Sequence, residues 1–222
     1  MDPTFFILIP AMIFVFFAQA KVNSAYAKYS GVSNRKGITG ASAARTILNS
    51  NGLSDVPIEM TPGKMSDHYD PKSRVMRLSK EVYEGDSIAS VSISAHEAGH
   101  AIQHALGYKP IKVRNAIAPI ISIASNLAWP LLIAGIILGF TGLVDLGIIL
   151  FASAVFFQVV TLPVEFNAST TAITQLEGLN IILPEESSSA KKMLFAAAMT
   201  YVAALAMSLA NLLRLVLLRN RN

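Results

Sequence analysis

Residues 96–100 read His96-Glu97-Ala98-Gly99-His100, and this is the most informative stretch of the chain. Two histidines four residues apart on a helix are offset by about 40° and about 6 Å, so their rings share one face. One nitrogen of each can then bind a single zinc ion at about 2.0–2.1 Å. A glutamate directly after the first histidine can act as general base toward a zinc-bound water. The stretch therefore predicts the zinc site of a metallopeptidase.

The sequence on both sides of the motif is typical of a helix. Residues 85–87 (Gly-Asp-Ser) supply a turn and an N-cap, and residues 88–106 contain no proline and one glycine, Gly99. Gly107 follows as a natural stop. A chance match is the alternative for so short a motif, but it leaves this helical frame unexplained. We assign Gly99 to close helix packing rather than to chemistry.

The composition is that of a membrane protein. Of the 222 residues, 53% are hydrophobic and 14% are charged, whereas soluble domains are about 25% charged. The chain has no cysteine, which excludes disulfides and leaves histidine and carboxylate as zinc ligands. The net charge of +4 is not accompanied by a basic patch interleaved with aromatic residues, so we expect no nucleic-acid partner.

Four apolar segments predict three to four transmembrane helices. Phe5–Ala20 is the first, and Met193–Leu213 is the last. Between them, Ile117–Phe140 and Leu143–Leu162 are joined by a short connection and should form an antiparallel transmembrane hairpin. The chain is therefore expected to be integral to a lipid bilayer, and we assign it to a bacterial plasma membrane.

The first apolar segment has two interpretations. Ala18-Gln19-Ala20 resembles the cleavage site of a secretory signal peptide. The residues before the segment, however, include Asp2 and no lysine or arginine, which does not fit the basic start of a signal peptide. The sequence therefore favours an uncleaved anchor.

The distribution of basic residues predicts the topology. Thirteen of the 18 lysines and arginines lie between the first anchor and the hairpin, which places this region and the zinc helix in the cytoplasm. The hairpin returns the chain to the same side, so Glu165 and the zinc helix share a compartment. Four full spans would leave the basic ending (Arg214, Arg219 and Arg221) outside, against the same rule. Either the last apolar segment does not fully span the membrane, or the rule does not hold there.

The region from Val22 to Arg114 is expected to combine helix and strand. Thr39–Asn49 is predicted to be a short helix with a threonine cap. Val56–Met60 and Arg74–Leu78 are predicted to be short strands, separated by turns at Pro62-Gly63 and Asp70-Pro71. Arg74–Leu78 is a candidate edge strand to which an extended peptide could add.

A third protein ligand is needed to complete a catalytic zinc site. The position ten residues after His96, where some metallopeptidases carry a third histidine, is Leu106. His104 lies about 12 Å along the helix axis from His96 and cannot reach the same ion. Glu165 is the strongest candidate, in a helix that we expect to begin at Pro163. The alternative is a carboxylate that merely extends from the membrane boundary to water.

Three blocks of sequence resemble one known family, the integral-membrane neutral zinc metallopeptidases of the YugP-like group. The blocks are Asp67-His68-Tyr69-Asp70-Pro71 with Arg77-Leu78-Ser79, His96 to Tyr108 (HEAGHAIQHALGY), and Leu162 to Ser169 (LPVEFNAS). The resemblance covers nearly the whole chain. It implies zinc-dependent peptide hydrolysis, with zinc as cofactor.

A more remote similarity links the chain to HtpX-type and CAAX-prenyl-protease-type membrane gluzincins. Those proteins carry a Glu-x-x-Ala-Asp element on a helix after the zinc helix. Here the matching element is Glu165-Phe166-Asn167-Ala168-Ser169, with serine in place of aspartate. A weaker hydrogen bond from Asn167 or Ser169 to a ligand histidine is therefore expected. The resemblance implies a gluzincin-like enzyme, with the HExxH motif and a glutamate as third ligand.

These observations predict a mechanism with assigned roles. Zinc would be bound by His96, His100 and Glu165, and Glu97 would take a proton from the water and pass it to the leaving amine. A second oxyanion donor can contribute about 2.7–4 kcal/mol to transition-state stabilisation. We favour His68 for this role, although Asp67–Pro71 can also be a simple turn. Tyr69, Tyr108 and His104 are the other candidates; His104 can also assist from beside the site.

The predicted fold class is a mainly α membrane protein with a zincin-like α+β catalytic region, a small β-hairpin or sheet, and three to four transmembrane helices. The predicted divisions are an N-terminal anchor (1–20), a cytoplasmic zincin-like region with the zinc helix (21–115), a transmembrane hairpin (116–162), a helix and loop carrying the third ligand (163–192) and a C-terminal apolar helix (193–222).

Three functions fit the sequence to different degrees. The favoured one is a membrane-embedded zinc endopeptidase that cleaves peptides or damaged membrane proteins from the cytoplasmic side. A catalytically inactive zinc-binding scaffold is the alternative, but it has no need of Glu97. A metal transporter ranks last, because Asp145 is the only ionisable residue between Ala116 and Leu162. The sequence indicates neither the natural substrate nor the oligomeric state.

Overall fold

The computed structural model describes residues 3–220. Asp2, used to predict an uncleaved anchor, and Arg221, used to predict the topology of the last segment, lie outside the described residues. Most of the described chain is helical, as predicted. The elements in chain order are α1 (Leu8–Ser30, preceded by a 3-10 turn at Pro3–Ile7), α2 (Gly40–Ser50), β1 (Ile58–Thr61), β2 (His68–Asp70), β3 (Val75–Ser79), α3 (Lys80–Glu84), α4 (Ile88–Ala105), α5 (Lys109–Leu138), α6 (Thr141–Gly178) and α7 (Pro184–Arg219).

Within residues 3–220, four helical segments are long and apolar enough to cross a membrane. They are Pro3–Ser30, Lys109–Leu138, Thr141–Gly178 and Pro184–Arg219. Large apolar side chains on these segments are exposed, with Phe16 and Ile137 at 70% and 77%. Such extensive apolar exposure is unfavourable in water and favourable in lipid. The prediction of a mainly α membrane protein is therefore confirmed.

One of the two compact units consists of the N-terminal residues up to Gln19, Lys109–Pro163 and the chain from Met199 onward. Its helices pack closely where they carry glycine. A Cβ at Gly135 would lie 2.7 Å from the backbone nitrogen of Val144, and so close a contact suits an antiparallel helix pair. Two hydrogen bonds of 2.8 and 3.0 Å from Arg219 to Asp145 connect α7 to α6.

The other unit consists of Ala20–Tyr108 and Val164–Ala198. It contains the sheet, α2, α3 and α4, together with parts of α1, α6 and α7. Its buried core is built from aliphatic and methionine side chains on nearly all of these elements, including Ile47, Leu48, Met76, Leu78, Val91, Leu176 and Met193. The zinc motif and Glu165 therefore lie on helices that share one hydrophobic core.

The sheet corrects the strand predictions. Its order is β1-β3-β2, with β1 parallel and β2 antiparallel to β3. The predicted edge strand Arg74–Leu78 is in fact the central strand β3, because four of its five side chains are buried and both of its edges are paired. The prediction that it receives a peptide substrate by strand addition is wrong. A third strand, β2, was not predicted; it ends at Asp70, and the predicted turn at Asp70-Pro71 connects it to β3.

Helix α4 begins and ends where the sequence predicts. The hydroxyl of Ser87 accepts a hydrogen bond of 3.0 Å from the backbone N–H of Ser90, which caps the first turn. At the other end Gly107 has φ +65°, the left-handed conformation that ends a helix at least cost to glycine. The predicted threonine cap of α2 is also present, since Thr39 accepts from Ser42 N–H at 3.2 Å.

Helix α6 is longer than predicted. It runs without interruption from Thr141 to Gly178, so Pro163 lies inside a helix and does not begin a new one. Pro163 removes one helical hydrogen bond and crowds the preceding turn. In an apolar environment, however, a break in the helix would leave several backbone groups unpaired, at a greater cost. Glu165 is consequently held by a continuous helix, two residues after the proline.

Candidate metal centre

Three side chains from α4 and α6 converge on one point. The carboxylate oxygen Oε2 of Glu165 lies 3.3 Å from His96 Nε2 and 3.6 Å from His100 Nε2. All three potential ligand atoms lie within 4.8 Å of one another. Two atoms bound to one tetrahedral zinc at about 2.0–2.1 Å are about 3.3–3.4 Å apart. The spacing of the cluster therefore suits a shared zinc ion.

The burial and the chemistry of the donors also fit zinc. The side chains of His96, His100 and Glu165 are 17%, 11% and 3% exposed. A direct charge-assisted hydrogen bond between them would be about 2.7–2.9 Å long, shorter than either distance found. Two imidazoles and one carboxylate are the protein ligands of one common class of catalytic zinc site, which keeps a fourth position for water. These three residues would hold the ion.

Gly99 lets the two ligand-bearing helices approach each other. A Cβ at this position would lie 2.8 Å from the carbonyl oxygen of Ala168 and 3.2 Å from its Cα, both atoms of the α6 backbone. Because Ala168 is close to Glu165 on α6 and Gly99 precedes His100, this contact brings the candidate ligands on the two helices close together. The assignment of Gly99 to close helix packing agrees with the structure.

Replacement of Gly99 by alanine is expected to destabilise the protein by about 1–3 kcal/mol, because overpacking against backbone atoms forces the helices apart. Thermal unfolding of the detergent-solubilised protein measures the change, as a lowered midpoint. Gly178→Ala is the control, since a Cβ there meets no atom within 4 Å. A midpoint for Gly99→Ala equal to that of the control would contradict the packing argument.

Each of the two histidines in the cluster has a partner on its second ring nitrogen. Ser169 Oγ lies 3.2 Å from Nδ1 of His96. Gln103 Oε1 lies 3.0 Å from Nδ1 of His100, and the Gln103 amide also donates to Asn167 Oδ1 at 2.8 Å. Of the two predicted histidine partners, Ser169 contacts His96 directly, while Asn167 contacts Gln103. Gln103 was not identified from the sequence, although its position three residues after His100 is a usable signal.

Glu97 is buried beside the cluster and is oriented by the sheet. Its Oε2 accepts a hydrogen bond of 3.0 Å from the backbone N–H of Tyr69 on β2. Burial raises the pKa of the Glu97 carboxyl, while the neighbouring histidines act in the opposite direction. A carboxylate with a raised pKa takes up a proton more readily, which suits a general base.

The four candidates for an oxyanion donor are placed differently. His68 is exposed on β2, and its Nδ1 lies 2.8 Å from the carbonyl oxygen of Ser66. Tyr69 points to the opposite face of the strand, where its hydroxyl lies 2.9 Å from Nδ1 of His104. Tyr108 follows the end of α4. Tyr69 therefore contacts Glu97 through its backbone and His104 through its hydroxyl, whereas the His68 ring makes a local contact.

Comparison with known proteins gives two matches. A family model described as “Putative neutral zinc metallopeptidase” matches residues 4–220. The chain is also 48% identical over 213 residues to the “Putative membrane protease YugP” of Bacillus subtilis (strain 168), and the match covers 96% of this chain and 95% of that protein. No solved structure matches the chain.

Proposed function

The chain belongs to the family described as “Putative neutral zinc metallopeptidase”, and from this premise we propose that it is a membrane-embedded, gluzincin-like zinc endopeptidase. His96, His100 and Glu165 are its metal ligands, and Glu97 is its general base. The observation that carries the proposal is the convergence of His96 Nε2, His100 Nε2 and Glu165 Oε2 at the spacing of a tetrahedral site. A zinc-binding scaffold without activity would not need a buried carboxylate beside this cluster.

The residues around the cluster support hydrolysis. When bound, zinc supplies Lewis acidity, which polarises a carbonyl group and lowers the pKa of water toward about 7. Glu97 accepts the proton of the attacking water and delivers it to the leaving amine. The hydrogen bond from Tyr69 N–H holds Glu97 Oε2 in place. The other carboxylate oxygen, Oε1, is then the one that accepts and donates the proton.

The remaining roles are assigned to the residues beside the cluster. Ser169 orients His96 through its contact with Nδ1, and Asn167 supports the orientation of His100 through Gln103. The Tyr69 hydroxyl, paired with His104, is an alternative to His68 as donor to the developing oxyanion. His68 remains a prediction for this role.

The substrates we propose are peptides and membrane proteins reached from the cytoplasmic side. Thirteen of the 18 lysines and arginines lie after the first apolar segment and no later than the first turns of α5. This distribution favours a cytoplasmic location for the site. The apolar helices place the enzyme in a bilayer, where a bacterial plasma membrane suits this charge distribution.

Removal of the metal is expected to abolish proteolysis reversibly. The detergent-purified protein should lose casein cleavage after treatment with a zinc chelator and dialysis, because no other group supplies the Lewis acid. Added Zn²⁺ should restore the rate, whereas Mg²⁺ should not, since Mg²⁺ prefers six oxygen ligands. Full activity in protein shown by elemental analysis to hold no zinc would contradict the proposal.

A further inference from the structure

Gln103 is a buried side chain that contacts both ligand-bearing helices. It lies one turn after His100 on α4 and is 2% exposed. Its Oε1 is 3.0 Å from His100 Nδ1. Its Nε2 is 2.8 Å from the carbonyl oxygen of Val164 and 2.8 Å from Oδ1 of Asn167, both on α6. Val164 and Asn167 lie on either side of Glu165 in the chain, so one amide contacts the candidate ligand His100 directly and also the α6 segment that carries Glu165.

The contacts on α6 determine which way the Gln103 amide faces. The backbone carbonyl of Val164 can only accept a hydrogen bond, so the atom of Gln103 that faces it must be the amino group. The two hydrogens of that group serve Val164 O and Asn167 Oδ1. The remaining atom, Oε1, carries no hydrogen and can only accept. The orientation of the amide therefore follows from the main chain of α6.

The orientation of the amide in turn determines the tautomer of His100. Because Oε1 of Gln103 accepts, Nδ1 of His100 must carry the hydrogen. A neutral imidazole carries a hydrogen on only one of its nitrogens, so Nε2 then has a free lone pair. This is the nitrogen that faces Glu165 Oε2 at 3.6 Å. His100 is thus held in the only neutral tautomer that can bind a metal at that point.

We infer that Gln103 is a positioning residue of the metal centre. Its Oε1 atom holds His100 in the tautomer whose Nε2 is free to bind a metal. Its own Nε2 atom fixes the segment of α6 that carries Glu165. One buried amide therefore couples a ligand on α4 to a ligand on α6. The inference rests on the proposed function, because it assigns Gln103 a role only if the cluster binds metal.

The test is the zinc affinity of Gln103→Met in the full-length, detergent-purified, metal-stripped protein. Methionine has a similar length but supplies neither the acceptor for His100 nor the donors for α6. Competition with a chromophoric chelator should show a zinc dissociation constant raised by about 10- to 100-fold. Gln175→Met is the matched control, because Gln175 is on α6 and contacts the Asn51 side chain instead of the cluster. Its zinc affinity should equal that of the parent.

A second measurement separates positioning from a general structural role. If Gln103 only joins two helices, Gln103→Met lowers the unfolding midpoint of the metal-free protein but leaves the zinc dissociation constant unchanged, and the inference is overturned. A parent protein that binds no zinc overturns the proposed function instead. If Gln103→Met does not fold, Asn167→Ala decides: it removes one acceptor of the amide and should weaken zinc binding by about two- to fivefold. An unchanged affinity in that variant also overturns the inference.

Discussion

Glu97→Gln is expected to reduce peptide hydrolysis by about 10²- to 10⁴-fold, the usual contribution of a general acid–base residue. Glutamine has nearly the same shape as glutamate, and its carbonyl oxygen can still accept the hydrogen bond from Tyr69 N–H. An amide cannot, however, take up the proton of the attacking water. Because Glu97 is not one of the three convergent ligands, the zinc content of the variant should remain that of the parent.

The comparison requires casein cleavage and zinc content to be measured on the same preparations. Glu84→Gln is a suitable control, because Glu84 is on α3 with its side chain 55% exposed. Its activity should match the parent. Loss of activity with retained zinc supports an enzyme and excludes an inactive zinc-binding scaffold. Equal cleavage by Glu97→Gln and the parent would mean that the activity does not come from this site.

The parts of the fold that depend on local sequence could be predicted well. The limits of α4 follow from Ser87 and Gly107, whose capping roles depend on residues within one turn. The zinc motif is also local, since the spacing of His96 and His100 alone puts both rings on one helix face. Glu165 could be predicted as a neighbour of the two histidines because two apolar segments with a short connection return the chain to the side of the membrane where it entered.

The features that were missed depend on contacts between distant parts of the chain. Gln103 is interpretable only with Val164, which lies 61 residues later in the sequence. The central position of β3 depends on pairing with both β1 and β2, and a five-residue strand carries no signal for the number of its neighbours. Pro163 illustrates the opposite error, because a local signal for a helix start was overridden by the continuity of an apolar helix.

Glu165→Gln is expected to weaken zinc binding by at least about 100-fold, the upper end of the range for residues that only support a ligand. The charge of the carboxylate is lost, and a neutral amide oxygen is a poorer partner for zinc beside two neutral imidazoles. The cluster would then keep only His96 and His100, and proteolysis should fall with zinc occupancy. The alternative, that Glu165 merely extends to water from the membrane boundary, predicts no change in zinc affinity.

Stability measured with and without zinc gives an independent view of the same residue. At a zinc concentration 100 times the dissociation constant of the parent, binding stabilises the folded protein by about 2.7 kcal/mol. A 100-fold weaker site would retain only about 0.4 kcal/mol under the same conditions. The increase in unfolding midpoint on adding zinc should therefore nearly disappear in Glu165→Gln. Glu177→Gln, an exposed position on the same helix that pairs with Lys191, should keep the full increase. Full zinc retention by Glu165→Gln would remove Glu165 from the metal centre and leave the two histidines without a third ligand.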